Sequence, residues 1–316
     1  MDTALLADGS SIDQLQLAFD PAGLAVLNAI LGLVMFGVAL DLRLADLAAL
    51  VRVPRAAAVG LVSQFLLLPA LGFLVASALA PTPSMALGIM LVAACPGGNI
   101  SNFLTSLAGG RVGLSVGMTA VSTLAAVVAT PLNLAFWGSL SPTTAPLVTR
   151  FSLDPIDLAG TLALLLLLPV SVGMLVNAHL PGVAAVLRKP FKVGSLLFFA
   201  AFVAIAFAKN LDAFVLAIGL VCLPVLVLNG AALALGYGAA ALVGLPEPDR
   251  RAIAIEVGIQ NSGLGLVIVF TFFGGLGGMA VVSAWWGIWH ILAGLALASA
   301  WVAWDRRRAR AVIPLG

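Results

Sequence analysis

Met85–Leu107 reads MALGIMLVAACPGGNISNFLTSL, and its middle, Cys95-Pro96-Gly97-Gly98-Asn99-Ile100-Ser101-Asn102, decides how the chain is built. The run is long enough to cross a hydrocarbon core, which takes about 20 residues of helix. Its middle cannot be regular helix, because proline removes an amide donor and two glycines weaken the winding. The pattern returns near the other end of the chain, where Ala252–Phe273 reads AIAIEVGIQNSGLGLVIVFTFF and breaks at Glu256-Val257-Gly258-Ile259-Gln260-Asn261-Ser262-Gly263. Unwound backbone at membrane depth is tolerable only where it lines a cavity or meets an ion. Two such breaks in corresponding positions of two halves point to a binding site near the bilayer midplane.

The rest of the 316 residues fits that reading: 62% are hydrophobic and 9% charged, which excludes an ordinary water-soluble domain. Apolar runs punctuated by polar, proline and glycine residues predict spans near 22–40, 56–79, 84–108, 114–137, 156–180, 192–208, 211–243, 251–274 and 282–304. With the N-terminus outside, inner segments hold Arg43, Arg52, Arg55, Arg111, Arg188, Lys189, Lys192, Arg250, Arg251, Arg306, Arg307, Arg308 and Arg310, and outer segments hold Arg150 and Lys209. Thirteen basic residues inside against two outside is the asymmetry the positive-inside rule leads one to expect. The expected fold is therefore an all-α polytopic membrane protein of nine transmembrane helices. Spans one to four and six to nine run with opposite orientation, as an inverted-repeat transporter that has lost one outer helix. Residues 1–21 form an extracytoplasmic tail, 22–304 the transmembrane unit and 305–316 a basic cytoplasmic tail. The first residues carry four aspartates and no basic n-region, so the segment does not read as a cleaved signal peptide; Ile12, Leu15 and Phe19 fit either a short surface helix or a loose tail.

Of 13 acidic residues only Glu256 sits well inside a span. No Lys or Arg lies in the span interiors to neutralise it, so its partner is a proton or a bound cation. Neutral oxygens accompany it: Gln64 in span two, Ser101 and Asn102 after the first break, Ser115 and Thr119 one helical turn apart in span four, and Gln260 in the second break. Amide, hydroxyl and carbonyl oxygens suit a hard cation such as Na⁺, and there is no thiolate or imidazole cluster for a softer metal. Singly, a Ser or Thr in a membrane helix more often bonds its own backbone or packs helices together. The combination with two broken helices carries the signal.

The quoted motifs, together with Leu114-Ser115-Val116, Thr119 and Ser122-Thr123, resemble the signatures of the bile acid:sodium symporter family, over about Leu31 to Trp304. That resemblance implies sodium-coupled symport of an organic anion by alternating access, with panel and core helices interleaved and the two broken helices crossing. It implies two Na⁺ sites and no other cofactor. Carried onto this sequence, the first site uses Ser101, Asn102, Ser115, Thr119 and Glu256, and the second Gln64, Glu256, Gln260 and the carbonyls of Val257 and Ile259. Asn99 and Asn261 resemble family substrate contacts, and His290, in a Trp-His pair of the last helix, either faces the substrate cavity or bonds a neighbouring helix. Relatives with ten helices have one more at the start, which leaves monomer and homodimer both open.

Asn229-Gly230, at the repeat position related to Gln64's helix, reads equally as helix packing. Pro69, Pro131 and Pro224 are expected to kink their spans, and Trp285, Trp286 and Trp289 to form an interfacial belt. The basic C-terminal run anchors topology, with anionic lipid as a further contact. An intramembrane enzyme would need paired aspartates, an HExxH helix or a Ser with a basic partner in the spans, and a channel a continuous polar stripe; neither pattern is present, and nothing suggests nucleic acid. The nearest rival is an organic anion transporter driven by H⁺ through Glu256 without Na⁺. The location expected is the inner (plasma) membrane.

Overall fold

The computed structural model describes residues 13, 21–40, 50–98, 100–151, 154–209 and 211–312. The expectations for the N-terminal tail, for Asn99 and for the last four residues fall outside these, apart from Asp13, whose Oδ1 accepts from the Ser84 N–H at 3.0 Å.

The described chain is helical, with no named strand. α1 is Pro21–Ala39. α2, Pro54–Leu79, contains one π-helical turn at Ser63–Leu67. The first interrupted run forms α3, Pro83–Ala94, and α4, Ile100–Leu107. α5, Val112–Leu140, and the short α6, Ala145–Arg150, follow. α7 is Pro155–His179 with a second π turn at Ala163–Leu167, and α8 is Pro181–Lys209. After α9, Leu211–Leu242, the second interrupted run forms α10, Glu247–Gly258, and α11, Ser262–Phe272; α12, Gly277–Val312, closes the chain.

Five helices among the described residues are each long and apolar enough to cross a membrane. The interrupted pairs fall short singly, because the breaks cut them into pieces of 12, 8, 12 and 11 residues. Large apolar side chains such as Leu66, Leu132, Phe136 and Leu164 point outward, more than half exposed, which water would oppose and lipid accepts. The sixth span, expected from 192, lies in a helix that begins at Pro181, so Arg188, Lys189 and Pro190 are helical. There the Arg188 guanidinium donates to Asn177 Oδ1 of α7 at 2.8 Å and to the Leu40 carbonyl just past α1 at 3.0 Å.

α1, α7 and α8 pack on one another, while α2, α3, α9, α10 and α12 pack around a second core that includes Leu68, Met90, Val257 and Trp286. Trp286 is fully buried there and is not an interfacial anchor. It lies on the side of α12 that faces α3 and α9, and Trp285 and Trp289 pack against the same core. Pro69 stands two residues past the π turn that holds Gln64, and the Asn133 amide from α5 takes the Phe65 carbonyl at 3.1 Å, the acceptor that Pro69 has no N–H to serve.

At one end of the bundle Arg251, almost fully buried, makes a two-pronged ion pair with Asp305 at 2.6 and 2.9 Å. It also pairs with Glu247 at 3.0 Å and donates to the Ala108 carbonyl at 2.8 Å. Arg111 pairs with Asp249 across the same end. Residues read from sequence as topology signals thus also tie the α4–α5 turn, α10 and α12 together, and planar bidentate geometry is what guanidinium supplies best.

Candidate functional site

The two interruptions meet. Gly97 and Gln260 form an isolated antiparallel bridge. The Gly98 N–H donates to the Ile259 carbonyl at 2.8 Å, and the Asn261 N–H to the Pro96 carbonyl at 2.9 Å. Unwinding leaves orphan carbonyls at each half-helix end, each costly if buried without a donor. Neighbouring side chains supply the donors. Thr130 of α5 donates to the Ala94 carbonyl at 2.7 Å, Gln64 of α2 to Cys95 at 2.9 Å, Asn229 of α9 to Gly258 at 2.7 Å, and Gln260 to Val257 at 2.6 Å. α11 starts cleanly because Asn261 Oδ1 accepts from the Leu264 N–H at 3.0 Å, an N-cap.

Glu256 lies in the last turn of α10, fully buried. Its Oε2 accepts from Ser101 Oγ at 2.7 Å and Ser115 Oγ at 2.9 Å, and its Oε1 from Thr119 Oγ1 at 2.6 Å. Asn102 Oδ1 lies 2.9 Å from Ser115 Oγ and 3.3 Å from Thr119 Oγ1. Ser101 and Asn102 come from the first turn of α4, whose N-terminal partial positive charge favours an anion, and Ser115 and Thr119 share one face of α5. Thr105, one turn after Ser101, adds a hydroxyl 3.2 Å from Ser115 Oγ; its spacing from Ser101 was the available sequence signal.

Seven side-chain oxygens are thereby gathered, two from Glu256, one from Asn102 and four hydroxyls, and with Glu256 ionised the four hydroxyls carry the only protons on them. Thr119 Oγ1, with a single proton, faces Glu256 Oε1, Asn102 Oδ1 and the Ser115 carbonyl within 3.3 Å. Among the described residues no Lys, Arg or His pairs with Glu256, and no group of three His, Cys, Asp or Glu could hold a metal ion. The cluster is rich in lone pairs and poor in protons, and a small hard cation suits such a set.

Gln64, Val257 and Gln260 form a second group beside it. Gln64 Nε2 donates to Gln260 Oε1 at 2.7 Å, and both side chains are buried. The Glu256 carboxylate bonds only into the first group, and the Ile259 carbonyl is held by Gly98. The structure therefore brings together all five residues of the first expected set. It brings together Gln64, Val257 and Gln260 of the second, with Ile259 reaching them through the crossing. Gly97, quoted in the motif but given no role, lies against the carboxylate: a Cβ on it would collide with Glu256 Oε1.

Asn261 is at the crossing, and its amide nitrogen makes no hydrogen bond among the described residues. His290 is buried on α12, with Nδ1 unpartnered and its ring 6.3 Å from that of Trp286, so Nδ1 makes no bond to a neighbouring helix.

Residues 28–217 match the sodium bile acid symporter family. The chain belongs to that family. It is 34% identical over 272 residues to the sodium-dependent transporter YocS of Bacillus subtilis, covering 86% of this chain and 81% of the relative. It is 34% identical over 242 residues to a probable chloroplastic sodium/metabolite cotransporter of Oryza sativa subsp. japonica, covering 76% of this chain and 57% of that one. It is 32% identical over 252 residues to the human ileal sodium/bile acid cotransporter, covering 77% and 68%. The family and these relatives are membrane transporters dependent on sodium, not enzymes. The family match ends at 217, before the second interrupted run, whereas the similarity to the Bacillus protein, over 86% of the chain, extends across Glu256.

Proposed function

We propose that the protein is a sodium-coupled secondary active symporter that imports an organic anion with an apolar body by alternating access. The observation that carries this reading is Glu256: a fully buried carboxylate with no basic partner among the described residues, set in oxygens that outnumber their protons at the crossing of two broken helices. Na⁺ binds at Ser101, Asn102, Ser115, Thr119 and Glu256, and a second Na⁺ at Gln64, Glu256, Gln260 and the Val257 and Ile259 carbonyls. The second site forms when Gln260 turns its amide oxygen toward the Val257 carbonyl. The anion is met by Asn99, Asn261 and His290, by half-helix N-termini and by the bound cations. Anion affinity is then conditional on sodium, and each ligand raises the other's affinity by the same factor. The sodium dependence of the Bacillus, rice and human relatives supports this reading.

The chain crosses the plasma membrane nine times, N-terminus outside and C-terminus in the cytoplasm, as an inverted repeat. A cysteine at Ser10 is expected to react with an impermeant thiol reagent on intact cells and one at Ala311 to be protected; the reverse pattern overturns the orientation. Ser115→Ala and Thr119→Ala each remove one neutral ligand, worth ~1 kcal/mol, and are expected to raise the half-saturating sodium concentration roughly fivefold. Asn261→Ala is expected to weaken anion binding while sparing sodium binding, read by titrating each ligand separately; equal loss of both would assign Asn261 to the ion site. The reading as a whole is tested by thermal melting of the purified protein with carboxylates, sulfonates and bile salts, in Na⁺ and in K⁺. One class of anion is expected to stabilise the protein in Na⁺ alone, and stabilisation indifferent to the cation favours the proton-driven rival.

A further inference from the structure

We infer that Asn229 is a positioning residue for the second cation site; this inference rests on the symport reading above. Three consecutive carbonyls leave the end of α10, and each has a different partner: Val257 accepts from Gln260, Gly258 from Asn229 and Ile259 from Gly98. Past the helix the backbone opens, with Ile259 extended at φ −112°, ψ 101°. In extended chain successive peptide groups alternate in direction. Pinning the Gly258 carbonyl toward α9 therefore turns the Ile259 carbonyl, on the far side of the extended residue, away from α9, and this is one of the two backbone oxygens the second cation needs; the other, Val257, still follows the helix and is met by Gln260.

α9 is built to hold that peptide plane. Asn229 is fully buried and donates Nδ2 to the Gly258 carbonyl at 2.7 Å, while its Oδ1 has no partner. A buried acceptor left unpaired costs about 1–3 kcal/mol, so Asn is a poor choice here on packing grounds alone. One turn on, Leu233 lies so close that a Cβ on Gly258 would overlap its side chain. At Gly236 a Cβ would come within 2.8 Å of the Ile253 carbonyl. The helices thus touch backbone to backbone, and the amide reaches its target across a fixed gap. The other half-helix has the matching device, Thr130 donating to the Ala94 carbonyl at 2.7 Å, which makes capture of a half-helix end by a long neighbour a feature of both breaks.

The test is thermal melting of purified full-length protein titrated with NaCl, with KCl holding ionic strength constant. Asn229→Leu removes the donor at similar volume and is expected to shift the sodium midpoint upward at least fivefold and to lower the Hill coefficient from near two toward one. The melting temperature in K⁺ is expected to be unchanged or higher. Asn229→Asp, which keeps the shape but sets a second oxygen against the carbonyl, gives the same shift if the leucine variant does not fold, and Asn229→Gln, which retains an amide donor, recovers part of the affinity. An unchanged sodium midpoint in folded Asn229→Leu or Asn229→Asp overturns this inference alone. Absence of any sodium-dependent stabilisation in the wild-type protein overturns the symport reading and this inference with it.

Discussion

Glu256→Gln is expected to abolish sodium-stimulated uptake and sodium-dependent stabilisation while leaving a folded protein. The substitution keeps the side chain's shape and removes the one charge shared by both proposed cation sets. A charge-assisted contact in a low-dielectric site is worth roughly 3 kcal/mol, about a hundredfold in cation affinity. The fold should not suffer, because a carboxylate buried without a basic partner is a burden on the ion-free protein. Melting temperature in K⁺ is therefore expected to hold or rise as the response to Na⁺ disappears. Normal uptake by Glu256→Gln, still responsive to Na⁺, would remove the carboxylate from the coupling mechanism.

Gly97→Ala is expected to have the next largest effect. The added methyl overlaps Glu256 Oε1, and the backbone that carries it is bridged to Gln260, so neither side yields freely. Overpacking of this kind costs ~1–3 kcal/mol, and here the group displaced is the principal ligand of the proposed ion site. The half-saturating sodium concentration is expected to rise roughly tenfold to a hundredfold in a sodium titration of melting temperature. Gly113→Ala serves as the control, since a Cβ there meets nothing within 4 Å. Equal sodium affinities in the two variants would mean that the carboxylate moves aside and that the close approach at Gly97 is incidental.

The parts of this account legible in the sequence are those set by local chemistry. Proline and glycines inside an apolar run forecast the break between α3 and α4, and Ser115 and Thr119 at helical spacing forecast a shared face, because neither depends on what lies across the fold. The π turn at Ser63–Leu67 was not legible, because Ser-Gln-Phe-Leu-Leu has no local signature for i→i+5 bonding. The Arg251 clamp joins the Ala108 carbonyl and Asp305, far apart in the chain, and the sequence showed Arg251 and Asp305 only as charges near span ends. Trp286 looked interfacial from its aromatic neighbours, and only the packing of α12 against α3 and α9 turns it inward. The oxygens around Glu256 were each visible, but their convergence within 2.6–2.9 Å of one carboxylate depends on three helices meeting.

In the symport mechanism proposed above, coupling follows from this arrangement and not from a basic residue in the substrate path. If two Na⁺ accompany one monovalent anion, each cycle carries one net positive charge inward, worth ~2.3 kcal/mol per 100 mV across the full potential. On the same proposal the cations provide the positive field that the anion meets, so accumulation of substrate would draw on the sodium gradient and on the voltage together.

The most direct test of that coupling is uptake of the best stabilising anion into proteoliposomes under an imposed inward sodium gradient, with pH equal on both sides and voltage clamped by potassium and valinomycin. The account predicts concentrative uptake that collapses when external Na⁺ is replaced by choline and that Glu256→Gln does not support. Uptake that persists without Na⁺ and is driven instead by an imposed proton gradient would contradict it.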